Sequence, residues 1–195
     1  RGLLAVRPLQ VVERDPEQKT FHYESTYLGN YERKLYEKGL FQMDEEVSSH
    51  LGFPLRNPYF PEQKITFQSL LSHTSSLRDG STYSDFLQES LKKNPPPHVK
   101  EILTKEGAFY AQDIFCDAHG PEEKYFQYAN INFGVAACLV EKLSGELFHE
   151  YCKKHIFSPL GLTCSFQVQD LPDINDVAVL YRKIGIACLL KVLIT

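Results

Sequence analysis

Gln127-Tyr128-Ala129-Asn130-Ile131-Asn132-Phe133-Gly134 leads directly into an apolar run, Val135 to Leu143, which closes at Ser144-Gly145. The run predicts a helix with an apolar face, and Gly145 supplies a residue suited to the left-handed position after its end. A polar Tyr-x-Asn thus stands where a loop enters a buried helix. Two readings are open at this point. Tyr128 packs and Asn130 caps the helix, since Asn is a good N-cap. Alternatively, both side chains project into a cleft while the helix anchors them in the core.

The whole chain has 195 residues, 43% apolar and 24% charged, enough for one domain with a real core or for part of a larger one. The net charge of -4 and the lack of a basic stripe argue against a nucleic-acid surface. Lys92-Lys93 and Lys153-Lys154 read as solvated helix faces. Five cysteines without a Cys-x-x-Cys indicate neither a disulfide framework nor a zinc site. Cys138 reads as a small core residue, and reduced, buried thiols weakly favour a reducing compartment. Ile184 to Ile194, apolar apart from Lys191, is about half the length of a bilayer span. It reads as a buried strand or helix, or as a non-native tail.

Outward from the central block, Leu28, Tyr31 and Leu35 recur at helical spacing, with Gly39 as a C-cap. Asp44 before Glu45-Glu46-Val47 reads as the N-cap of a short helix. Gly52 to Pro61 is a proline-rich loop. Thr66 reads as the N-cap of Phe67 to Ser72, and His73-Thr74-Ser75-Ser76 ends that helix in a polar cluster. Arg78-Asp79-Gly80 reads as a turn. Tyr83 to Leu91 forms an amphipathic helix that Asn94-Pro95-Pro96-Pro97 stops. Val99 to Leu103 is a short helix with Pro97 at its start, and His98 beside it reads as solvated. Tyr110 to Cys116 reads as a strand, and Leu147, Tyr151 and His155 as another helix, stopped by Ser158-Pro159-Leu160-Gly161.

Several of these stretches fall together. Ile65-Thr66-Phe67-Gln68-Ser69-Leu70-Leu71-Ser72-His73-Thr74-Ser75-Ser76-Leu77 resembles the Leu-Leu-Ser-His-Thr-Ser block of the serine β-lactamase-like family. That family comprises class C β-lactamases, D-alanyl-D-alanine peptidases and related esterases. Leu35 to Phe41 with Met43-Asp44, Gly120 to Gly134, and Ile156 to Leu162 resemble further blocks of it, in the same order. Each block alone is weak, and the ordered set is specific. The resemblance implies an α+β, β-lactamase/transpeptidase-like fold, predominantly helical in this chain with an incomplete antiparallel sheet. It covers about 35–181 of a single partial domain spanning 1–195, and 182–195 stay unassigned.

The resemblance also implies acyl transfer through a serine ester, without a cofactor, on a small-molecule or peptide substrate such as a β-lactam or D-alanyl peptide. Such chemistry needs a nucleophile, a base and donors for the oxyanion. Tyr128 and Asn130 match the family's second motif. Tyr128 would pass protons between nucleophile and leaving group. Asn130 would hydrogen-bond the substrate's amide carbonyl or hold a catalytic lysine. The first motif, Ser-x-x-Lys, departs from the pattern. Ser25 stands near the nucleophile's place, but Leu28 occupies the position of lysine. Ser90-Leu91-Lys92-Lys93 has the right letters in the wrong order along the chain, and a match of that kind is expected by chance. His73, Thr74 and Ser75 read as structural, His73 bonding backbone at the helix end. The third motif, on a late strand, is not found. The sequence therefore leads to a serine hydrolase domain that is inactive as given, or else to a pseudoenzyme whose cleft binds without turnover. It also leads to an exposed sheet edge, and hence to poor folding of the lone chain or self-association through that edge.

Overall fold

A computed structural model describes residues 34–93, 95–162 and 165–166, and the backbone of 180–184 and 188–192. The helical elements are α1 (34–37), α2 (Ser48–Leu51), α3 (Phe67–Leu71), α4 (Tyr83–Lys92), α5 (Lys100–Leu103), α6 (Asn130–Ser144) and α7 (Phe148–Cys152). A π-helical turn over Lys153–Phe157 and a 3-10 turn over Ser158–Leu160 continue α7. Two strands, β1 (Leu180–Ile184) and β2 (Cys188–Val192), pair antiparallel with Arg182 opposite Leu190. Part of the apolar tail is thus strand.

The long helix organises the rest. Every residue from Ile131 to Val140 is buried, so α6 is covered on all sides and not on one face alone. Helices α2, α3 and α7 pack on it. Gly145 ends α6 at φ 71°, a left-handed conformation that costs glycine little. Gly39 closes α1 in the same way at φ 70°. There the Leu40 amide reaches the Leu35 carbonyl and the Gly39 amide the Tyr36 carbonyl, the two bonds of a Schellman end.

Helix α3 starts as its sequence predicts. The Thr66 hydroxyl accepts from the Ser69 amide at 3.2 Å, and the Ser69 hydroxyl takes the Thr66 amide at 2.9 Å, a reciprocal cap. Phe67, the first residue of this helix, stacks on Phe41 with ring centroids 4.0 Å apart. Three local expectations are corrected by the structure. Asp44 does not cap α2, whose N-cap is Val47. The segment before α2 instead runs antiparallel to 65–68, with Val47 bonded to Ile65 and Gln68 to Met43. Tyr110 to Cys116 is no strand: Gln112–Ile114 form a 3-10 turn, and Phe115 alone bridges to Leu77. Helix α5 begins at Lys100, after Val99, with Pro97 outside it. There the His98 ring accepts the Lys100 amide at 2.9 Å and meets Phe53 edge-on, so His98 is half-buried rather than solvated.

Lys92-Lys93 and Lys153-Lys154 are solvent-exposed. Cys116, Cys138 and Cys152 are buried. Burial pushes the Cys138 thiol far above its ordinary range, which makes it an inert core residue. Among the described residues no helix is long and apolar enough to cross a membrane.

Candidate active site

The chain enters α6 in extended conformation, with Ala129 at the N-cap (φ -150°) and no side-chain cap from that residue. Asn130 is the first helical residue and not the cap. The free amides at this helix start are satisfied from a distance. The Asp79 carboxylate accepts the Asn130 amide at 2.9 Å and the Ile131 amide at 3.0 Å. It also accepts the Asn130 side-chain Nδ2 at 2.6 Å. A carboxylate here complements the positive end of a 15-residue helix. Asn130 turns its Oδ1 to the Tyr128 hydroxyl at 3.2 Å. Tyr128 is about half exposed, at 52%, and Asn130 is partly buried. The pair stands at an open surface, side by side, with its backbone fixed from beneath.

Arg78 holds the other end of the same loop. Its Nε donates to Gln127 Oε1 at 2.9 Å, and its Nη2 to Cys116 Sγ at 3.0 Å. The dipeptide that reads locally as a turn, Arg78-Asp79, thus clamps the Tyr-x-Asn loop at Gln127 and at Asn130. Asn57, fully buried in the proline-rich loop, ties the neighbouring segments together. Its Nδ2 donates to Ser76 Oγ and to the Cys116 carbonyl, at 2.9 and 2.7 Å. No local pattern announces either role, because both rest on partners tens of residues away.

His73 lies under the loop as the sequence suggests. It is buried, in a left-handed conformation (φ 54°), and its carbonyl takes the Gln127 amide at 2.9 Å. Its Nδ1 faces two donors, the Ala129 amide at 3.4 Å and Asn132 Nδ2 at 3.2 Å. Two donors on one ring nitrogen require that nitrogen to be the acceptor, so the ring is neutral and protonated on Nε2. The ring lies against Tyr128, with centroids 4.6 Å apart, and edge-on to Phe133 at 4.8 Å. Asn132, fully buried, accepts from Ser75 Oγ through Oδ1. The group is a structural network and offers no free base.

Burial lowers the pKa of His73, against the opposing pull of the Asp79 charge. Burial, with Lys142 and Lys100 nearby, lowers that of His98. A histidine lowered on folding is neutral in the folded chain while the unfolded chain takes up a proton. Its contribution is complete above the unfolded value, about 6.5, and is lost as pH falls toward the folded value. Urea unfolding should therefore show lower stability near pH 5.5 than near pH 7.5, a window above the ordinary carboxylate range. His73→Asn, which suits the left-handed backbone, should make that dependence shallower. An unchanged slope would show that His73 does not contribute to it.

Ser25 lies outside the described residues. Among those described, no three His, Cys, Asp or Glu side chains come together as a metal site. A cleft of about 400 Å³ between the 52–58 loop and α5, lined by Phe53, Leu103, Tyr110 and Phe115, excludes Tyr128 and Asn130.

The chain is similar to known proteins in sequence and fold. Residues 33–185 match the family model described as Beta-lactamase. PbpX of Bacillus subtilis (strain 168) is 27% identical over 146 residues, 71% of this chain and 32% of that protein. The chain therefore spans about a third of the length of this relative. An octameric penicillin-binding protein homologue from Pyrococcus abyssi has the same fold at TM-score 0.60 and 21% identity. That likeness covers 86% of this chain and 37% of that one. A penicillin-binding protein from Bacillus halodurans gives TM-score 0.57 and 24% identity, over 86% of this chain and 48% of that one. The helical body built on α6 is thus that of a β-lactamase/transpeptidase-like fold, and the chain belongs to the beta-lactamase family of serine hydrolases.

Proposed function

We propose that this chain supplies the helical side of a serine hydrolase site that performs acyl transfer on an amide or ester. A β-lactam or a D-alanyl peptide is the substrate class that fits the family. The observation that carries this reading is the Tyr128 hydroxyl on Asn130 Oδ1, with Asn130 locked to Asp79 at the start of a buried helix. A phenol and an amide fixed side by side at an accessible surface can move a proton and orient a carbonyl. The β1–β2 hairpin is, in this reading, a piece of the family's antiparallel sheet.

Turnover by the chain itself is a separate matter. Leu28 stands three residues after Ser25, where a lysine would have to take the serine's proton. The chain as given is therefore inactive, with Ser25 an unactivated hydroxyl. The same residue favours the second reading, a pseudoenzyme whose Tyr128 and Asn130 bind a ligand without covalent chemistry. Fluorescent penicillin and fluorophosphonate probes separate these readings. No covalent labelling, no nitrocefin turnover and no effect of Ser25→Ala are the expected results. Labelling abolished by Ser25→Ala would overturn the inactivity, and reversible penicillin binding alone would favour the pseudoenzyme. Self-association through a sheet edge belongs to the same proposal, as the Pyrococcus abyssi homologue is an octamer. Light scattering that gives only monomer would remove it.

A further inference from the structure

The Asp79 carboxylate does more than satisfy a helix start. A carboxylate can only accept hydrogen bonds, so the Asn130 atom facing it at 2.6 Å must be the amide nitrogen. That choice fixes the other end of the same planar group, and Oδ1 faces the Tyr128 hydroxyl at 3.2 Å. A carbonyl oxygen can only accept, so in this contact the phenol is the donor, and a further donor would meet it through a lone pair. The backbone bonds from Asn130 and Ile131 hold the carboxylate itself in place.

We propose that Asp79 is a positioning residue for Tyr128, acting through the orientation of the Asn130 amide. It sets the polarity of the Tyr128 hydroxyl, which donates inward to Asn130 and accepts from an incoming hydroxyl or amine. The inference rests on the serine-hydrolase reading for its use in chemistry. The hydrogen-bond polarity itself does not depend on that reading.

The test separates the acceptor from the charge. Asp79 Oδ2 accepts both the backbone and the side-chain donor of Asn130, so in Asp79→Asn the one acceptor oxygen stays there and the new nitrogen turns to the Ile131 amide. The Asn130 amide keeps its orientation. In Asp79→Ala no acceptor remains at 79, and the Asn130 amide is released. Both variants weaken the helix cap, so melting temperature alone cannot separate them. The Tyr128 Cζ resonance, assigned with Tyr128→Phe in ¹³C-tyrosine-labelled chain, can. It should move in Asp79→Ala and stay near the parent position in Asp79→Asn. Fluorescent penicillin binding should weaken about tenfold in Asp79→Ala, the size of one good hydrogen bond, and hold in Asp79→Asn.

A Tyr128 resonance unmoved in a folded Asp79→Ala, or moved as far in Asp79→Asn, overturns the proposal. Absence of penicillin binding by the parent chain would tell against a β-lactam as ligand under either reading of the function, while the resonance still decides the role of Asp79. Should Asp79→Ala fail to fold, Asn130→Leu keeps both backbone bonds to Asp79. It must then move the Tyr128 resonance, and no movement overturns the proposal.

Discussion

Phe67→Ala is expected to lower the unfolding free energy by about 3–5 kcal/mol, the range for deleting a buried aromatic ring. Phe67 has no exposed surface, and its ring lies within 4.0 Å of Phe41, inclined by 19°. The His50 ring meets it edge-on at 5.4 Å. The space left by the ring cannot close easily. The Thr66–Ser69 cap holds the helix start, and the Phe67 and Gln68 amides are tied to Glu45 and Met43. A cavity that cannot collapse costs the lost contacts as well as the lost transfer energy. The urea midpoint should fall at an unchanged slope. Leu91→Ala, at a side chain 57% exposed, is the control and should change stability by less than about 0.5 kcal/mol. A loss of under about 1 kcal/mol for Phe67→Ala would show that the Phe41–Phe67 layer is not a packed core.

Asn132→Leu is expected to cost about 2–4 kcal/mol, although leucine has the same branched four-atom skeleton as asparagine. Asn132 is fully buried and serves three partners: the Ser75 hydroxyl, the His73 ring and the Ala129 carbonyl. The leucine would leave the buried Ser75 hydroxyl without its acceptor and deprive His73 Nδ1 of a donor. Stranded polar groups are therefore the larger part of the cost, with the bulk of the leucine methyls added. A double-mutant cycle makes this visible. Ser75→Ala removes one stranded group, so the loss in the double variant should be smaller than the sum of the single losses. Additive losses would place the effect elsewhere.

Much of this body can be read from residue patterns, because its signals are local. The run from Ile131 to Leu143 spells a buried helix, Gly145 and Gly39 mark ends by their backbone freedom, and Thr66 marks a start. The ordered blocks from Leu35 to Leu162 give the family, and the match over 33–185 agrees with that reading. The candidate site was legible only in its letters. Tyr128 and Asn130 stand out, but what fixes them is Asp79, 51 residues earlier, inside a tripeptide that looks like a turn. Asn57 is hidden in the same way among prolines. A hydrogen bond between distant segments imposes no period and no composition on either. Asp44 misleads for the related reason that local preference yields to pairing with another segment, and Tyr110 to Cys116 because an apolar run can also turn locally, as the 3-10 turn at Gln112–Ile114 does.

The three buried thiols make the chain its own reporter of breathing. Cys116 sits beneath the Arg78 clamp, Cys138 in the middle of α6 and Cys152 at the end of α7. Alkylation of a buried thiol waits for the backbone around it to open. Timed exposure to an alkylating reagent, read site by site by mass spectrometry, would therefore rank the opening of three separate places. The order in which they yield maps which part of the helical body lets go first, without a single engineered probe.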